Sequence, residues 1–382
     1  MLKVEDLVLP PVAALHPYEP GKPIEELQRE DGAGDVIKLA SNENPLGPSP
    51  MAIAAVRAVL QEVNRYPDGG CWALTRKIAA RHQVGTERIF VASGSVEVLN
   101  LLAFLFLRPG LNAIFSEHAF AIYALATAAA GGEGRAIPMR PGYNFDLDAI
   151  AAAIDGNTRL VFLDNPNNPT GTIFRKAAWE RFLTKVPEQA VIVADEAYFE
   201  FVRDPDYPDS LDYHDGRRLI VTLRTFSKIF GLAGLRVGYA VARPDIVTLL
   251  HKVRQPFNVT SLAQAAALAG LDDAAHVSQT LEVNAAGLAY LEREFKRLGI
   301  DFVPSHANFI LAEVGDGLKV FGDLLKRGVI VRPMGGYGLP RHLRISVGLE
   351  HENRRLVAEL EQVLAQMPPQ AITKCAPKAD TD

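Results

Sequence analysis

The spacing of apolar residues changes along the chain. Residues 1–45 mix proline and charge without a steady period and read as an extended arm. The stretch MAIAAVRAVLQEV, and again residues 73–80, repeat apolar positions with a helical period. Short β-rich runs then alternate with helical segments: RIFVAS, NAIFSE, RLVFLD, AVIVAD, RLIVTL and RVGYAVA. These runs are almost continuously apolar instead of alternating. That is the pattern of parallel strands covered on both faces. Strand–helix alternation over about 200 residues predicts a doubly wound α/β layer.

A different pattern follows. Residues 276–297 carry a long helical period. Short strands are predicted near 309–312, 329–331 and 343–347, and a helix closes the fold at about 350–366. The expected organisation has four parts: an N-terminal arm (1–45) packing with the small domain, a large domain (46–272), a small α+β domain (273–366) and a tail (367–382). The large domain is expected to hold a mostly parallel sheet flanked by helices. The tail has little to bury and reads as disordered.

Composition narrows the function classes. At 382 residues the chain is too long for one small domain, and 48% apolar with 22% charged residues is ordinary for a globular protein. A net charge of −5 gives no basic footprint for nucleic acid. No apolar run reaches the roughly 20 residues that span a membrane, and the first residues lack the pattern of a signal peptide. Cys71 and Cys375 form neither a disulfide framework nor a metal pair. The expectation is a cytoplasmic enzyme acting on small molecules, with no metal, nucleic-acid or membrane partner.

Ligands of such folds gather at the carboxyl ends of the strands. There RIFVAS runs into Gly94-Ser95-Val96, which opens a helix, and RLVFLD runs into NPNNPTG. AVIVAD ends at Asp195, and RLIVTL leads into RTFSK, which holds Lys228. Singly, these are a tight loop, two helix caps and an ion pair of Lys228 and Arg236 with other groups. Their co-occurrence along one sheet favours a shared site.

Lys228 stands in an apolar, glycine-rich stretch, TFSKIFGLAGLRVG. Burial disfavours its ammonium form, and the neutral amine can form a Schiff base with an aldehyde. Pyridoxal phosphate is a cofactor that uses this chemistry. It needs a carboxylate at its ring nitrogen, which Asp195 can supply, and donors to its ring oxygen, which Asn168 and Tyr198 can supply. Its phosphate fits the helix start at Gly94, Ser95 and Val96, with the hydroxyls of Thr225 and Ser227 and the Arg236 guanidinium. No GxxxxGK[ST] loop is present, and GLAGLRVG has the wrong glycine spacing for a dinucleotide turn.

With these residues in place, the sequence resembles the fold-type I pyridoxal-phosphate aminotransferases, and within them the histidinol-phosphate aminotransferases. The resemblance covers roughly residues 15–366 and is carried by LASNENPLGPSP, RYPDGG, NPNNPTG, VADEAYFEF, RTFSKIFGLAGLRVGY, HANFIL and LRISVG. It implies that Lys228 is the Schiff-base lysine, Asp195 the ring-nitrogen partner, Asn168 and Tyr198 the ring-oxygen contacts, and Ser227 and Arg236 phosphate ligands. It further implies that Phe120 stacks on the cofactor ring and that Tyr66 reaches the cofactor of the other subunit of a homodimer with shared active sites. The segment RQPFNVTS is expected near that interface. Arg344 would hold the anionic end of the substrate, and Asn42, Arg332 and Tyr18 would make further substrate contacts. Two positions depart from the family's pattern. Phe120 stands where a tyrosine is common, and Val96 stands where a polar residue often serves the phosphate. The implied reaction is transamination of histidinol phosphate with 2-oxoglutarate in histidine biosynthesis. An aromatic or prephenate-type aminotransferase, a phosphothreonine decarboxylase and a non-catalytic cofactor-binding protein are the alternatives.

Overall fold

The computed structural model describes residues 3–15, 17, 21–31 and 35–367. In chain order its strands are β1 (Ile37–Lys38), β2 (Ile89–Ala92), β3 (Asn112–Ser116), β4 (Glu133–Ile137), β5 (Thr158–Asp164), β6 (Val191–Asp195), β7 (Ile220–Thr225), β8 (Gly238–Val241), β9 (Asp301–Val303), β10 (Phe309–Glu313), β11 (Val329–Ile330), β12 (Arg332–Pro333) and β13 (His342–Ser346). The central sheet runs β2-β8-β7-β6-β5-β3-β4. Strands β4, β3, β5, β6 and β7 are parallel, whereas β8 is antiparallel to both its neighbours. The expectation of a parallel strand at RVGYAVA is thereby corrected. Strand direction leaves no mark on an apolar run: β8 is buried along its whole length, as β6 and β7 are.

Alternate residues of each run serve opposite layers, because successive side chains of a strand point to opposite faces. Leu160 and Phe162 of β5 join one core with Leu99 and Leu102 of the helix Ser95–Phe106. Val161 and Leu163 join the other with Trp179 and Phe182 of the helix Lys176–Leu183. Each such burial contributes roughly 1.5–3 kcal/mol, so one strand anchors helices on both faces.

A second, antiparallel sheet runs β12-β13-β10-β9. Ile310 and Ala312 of β10 and Leu343 and Ile345 of β13 pack with Leu291, Leu324 and Leu356, one from each of the helices Ala274–Leu298, Gly317–Leu325 and Glu350–Ala365. The Asp273 carboxylate caps the first of these helices by accepting the His276 N–H at 3.1 Å.

The N-terminal segment departs from the extended arm expected of it. It holds a helical turn at Val4–Leu7, helices at Pro10–Ala13 and Ile24–Asp31, and β1, which pairs in parallel with β11. Pro10 starts a helix because its fixed φ suits the first helical position, where no N–H is needed. From residue 368 the expected tail lies outside the described residues. No described helix is long and apolar enough to cross a membrane.

Candidate active site

Three adjacent parallel strands end together. Asp164 closes β5, Asp195 lies beside it at the end of β6, and Thr225 closes β7. The loop after β7 brings Lys228 back over this edge. A cavity of about 260 Å³ opens there, with Lys228, Asp195, Asn168, Tyr198, Arg236 and Arg344 in its wall. Ser95, Val96, Phe120, Thr225, Ser227, Asn42 and Arg332 also line it. The structure thus gathers nearly every predicted site residue, from distant parts of the chain, around one cavity.

Lys228 Nζ donates to the Ser41 carbonyl at 3.2 Å and lies 5.6 Å from the centre of the Tyr198 ring. Burial pushes its amine down to about 7, and the Arg344 and Arg236 guanidiniums add to that effect against Glu43 and Asp195. Asp195 is buried, and burial raises its carboxyl to about 6. The Tyr123 hydroxyl, which donates to Asp195 Oδ2 at 3.0 Å, pulls it the other way, as does the Ala197 N–H, which donates to Oδ1 at 3.2 Å. An amine that sheds its proton near neutral pH and a sheltered carboxylate therefore share the cavity.

Arg344 brings a guanidinium to the same cavity. Arg344 Nη1 donates to Asn168 Oδ1 at 2.5 Å and Nη2 to the Ala40 carbonyl at 2.8 Å. Its buried Nε has no hydrogen-bond partner among the described residues. Asn42, held at a φ of 54°, donates from Nδ2 to the Tyr198 hydroxyl at 2.8 Å and accepts from Ser346 Oγ at 3.0 Å. These bonds tie the segment after β1 both to Tyr198, which follows β6 of the central sheet, and to Ser346 at the end of β13 in the second sheet.

The start of the helix Ser95–Phe106 offers the cavity a cradle of donors. The first N–H groups of a helix have no partner within it, and Ser95 and Val96 face the cavity there. Gly94 precedes them at a φ of 77°, and a Cβ at that position would collide with the Arg236 guanidinium. Arg236 Nη1 reaches Ser227 Oγ at 3.3 Å, and Thr225 Oγ1 accepts the Ser227 N–H at 3.1 Å. An amine, a sheltered carboxylate and this cradle together fit a phosphorylated aromatic aldehyde.

Two predicted residues stand apart. Tyr66 does not line the cavity of its own chain; it is 82% exposed and stacks on Phe257 with ring centres 4.6 Å apart. Tyr18 lies outside the described residues. Sequence reasoning missed Tyr123 and Asp164. Tyr123 sits in the apolar helix Ile122–Ala129, where it reads as core packing. Asp164 is the last residue of RLVFLD, and its strand-end position was the available signal.

The sheet order and the place of the cavity define the fold-type I class of transferases. The family model "Aminotransferase class I and II" matches residues 34–360. The chain belongs to this family. It is 51% identical to histidinol-phosphate aminotransferase 2 of Pseudomonas aeruginosa, over 94% of this chain and 98% of the relative. It is 47% identical to the histidinol-phosphate aminotransferase of Moorella thermoacetica, over 93% and 92% of the two chains. Among solved structures, the histidinol-phosphate aminotransferase of Sinorhizobium meliloti in complex with pyridoxal-5'-phosphate superposes with a TM-score of 0.86 at 26% identity, covering 94% of this chain and 97% of that one.

Proposed function

We propose that this chain transaminates histidinol phosphate with 2-oxoglutarate, giving imidazole acetol phosphate and glutamate, with pyridoxal phosphate as cofactor. The observation that carries the reading is the meeting of Lys228, Asp195 and Arg344 around one cavity, with the Lys228 amine held near neutrality. When bound, the cofactor supplies an electron sink for the carbon that loses or gains the amino group. Asp195 keeps a negative charge beside the ring nitrogen. Lys228 Nζ holds the cofactor between turnovers and then carries the proton to and from the reacting carbon. Asn168 and Tyr198 donate to the ring oxygen, Phe120 covers a ring face, and Ser95, Val96, Ser227 and Arg236 hold the phosphate. Arg344 binds the substrate's anionic end.

A phosphate monoester near pH 7 carries close to two charges where a carboxylate carries one. Arg332, opposite Arg344 in the register of β12 and β13, gives the substrate end of the cavity a second guanidinium besides the Arg236 of the phosphate end, which suits a site that alternates between a phosphorylated donor and a dicarboxylate. Tyr66, exposed and outside its own cavity, is suited to complete the site of a second copy, so the working unit of this reading is a homodimer. The division at residues 46–272 and 273–366 belongs to the same reading.

Borohydride reduction followed by peptide mapping tests it. The cofactor should be fixed to Lys228 and to no other residue, and Lys228→Ala should bind it only reversibly. Retention of a reducible link in Lys228→Ala would overturn the assignment.

A further inference from the structure

The site contains a buried carboxylate with no part in the chemistry just described. Asp164 is 4% exposed and lies beside Asp195 in the register of β5 and β6. Its Oδ2 accepts the Asn168 backbone N–H at 2.9 Å, and its Oδ1 accepts from Asn167 Nδ2 at 3.1 Å. Both contacts fall on the turn that follows β5. Asn167 extends the grip, because its own Oδ1 accepts from Thr170 Oγ1 at 2.7 Å.

The turn matters because of how Asn168 is shared. A guanidinium can only donate, so the oxygen of the Asn168 amide is the atom that meets Arg344. The amide nitrogen is then the atom left to donate into the cavity. One amide thus links the arginine at the substrate end with the position of a ring-oxygen acceptor. Its backbone is held in that place by the Asp164 carboxylate. Burial and the nearby Asp195 raise Asp164 well above the usual carboxylate range, but both its oxygens are committed as acceptors to the turn.

We infer that Asp164 is a positioning residue for Asn168, fixing the turn so that a single amide serves both Arg344 and the cofactor's ring oxygen. The inference rests on the proposed role of Asn168. It assigns a task to the first residue of DNPNNPTG that neither acid–base nor phosphate chemistry requires.

The test is a double-mutant cycle on the full-length protein, read by the equilibrium dissociation constant of pyridoxal phosphate and the pH midpoint of the bound cofactor's visible absorbance. Asp164→Asn is nearly isosteric, yet in either orientation it turns its NH₂ toward one of two donors, so one hydrogen bond is lost. Asp164→Asn alone should weaken cofactor binding about three- to tenfold, the scale of a lost hydrogen bond, and shift the absorbance midpoint. Asn168→Ala should do the same. Asp164→Asn should then add little on the Asn168→Ala background.

The outcomes separate the two ideas. An Asn168→Ala protein with unchanged binding and spectrum removes the reading of Asn168 and the inference with it. If Asn168→Ala has its effect but Asp164→Asn has none, or if the two losses simply add, the positioning role alone is overturned. Should Asp164→Asn not fold, Asp164→Ser, which keeps one acceptor, goes through the same cycle.

Discussion

The Tyr123 hydroxyl donates to Asp195 Oδ2 at 3.0 Å inside the core of the large sheet. The Tyr123 ring is stacked on Phe162, with centres 4.8 Å apart and planes 3° from parallel, so the hydroxyl has little freedom to leave. Burial raises Tyr123 well above the ordinary tyrosine value, which keeps it a donor at every working pH. The bond therefore supports the charged form of a carboxylate that burial would otherwise neutralise.

Tyr123→Phe isolates that bond, since the ring and its stacking remain. The carboxyl of Asp195 should rise further. The rate of the chemical step should fall by about tenfold or more, in line with roughly 1.5–3 kcal/mol for a hydrogen bond to a charged group. Single-turnover kinetics would show it, with substrate affinity little changed. An unaltered rate would mean that Asp195 needs no such support.

Lys228 should leave a mark on stability as well as on activity. Its folded value of about 7 lies below the 10.5 of a solvated lysine. Below about 7 both states carry the proton, and the cost of burying the charge is fully present. Between about 7 and 10.5 the unfolded chain holds one proton more than the folded one. Stability from this group therefore rises with pH across that window, by up to about 1.4 kcal/mol per pH unit. Lys228→Met should stabilise cofactor-free protein at pH 7, and the advantage should fade toward pH 10. Denaturant unfolding of both proteins across this range measures it. A difference that does not change with pH would contradict the buried-amine account.

What the sequence disclosed follows from burial. Strands β5, β6 and β7 lie inside the sheet, so their apolar runs stand out, and their polar last residues mark the site edge. Edge strand β4 escaped notice because Glu133, Gly134 and Ala136 are exposed and GEGRAI has no apolar run. Strand β1 has two residues and exists only through its partner, β11. The bond of Tyr123 to Asp195 was hidden for a related reason: it depends on where a helix sits over the sheet, which is not written in local spacing. The bonds of Asp164 are local, three and four residues on, and were masked because NPNNPTG also reads as an ordinary tight turn.

The proposed sharing of the site between two copies predicts complementation. Tyr66→Ala and Lys228→Ala should each be severely impaired as pure proteins. After verified subunit exchange, a mixture should recover part of the activity, because one of the two sites in each hybrid has both residues intact. Exchange without recovery would place Tyr66 outside the catalytic unit.

The central claim is that this chain takes the amino group from histidinol phosphate and passes it to 2-oxoglutarate. The direct measurement is the half-reaction of the cofactor-loaded protein with histidinol phosphate and no acceptor. The account predicts that the cofactor's visible absorbance is lost in proportion to subunits, that one equivalent of imidazole acetol phosphate appears, and that 2-oxoglutarate restores the spectrum. Conversion by phenylalanine or tyrosine but not by histidinol phosphate would contradict it.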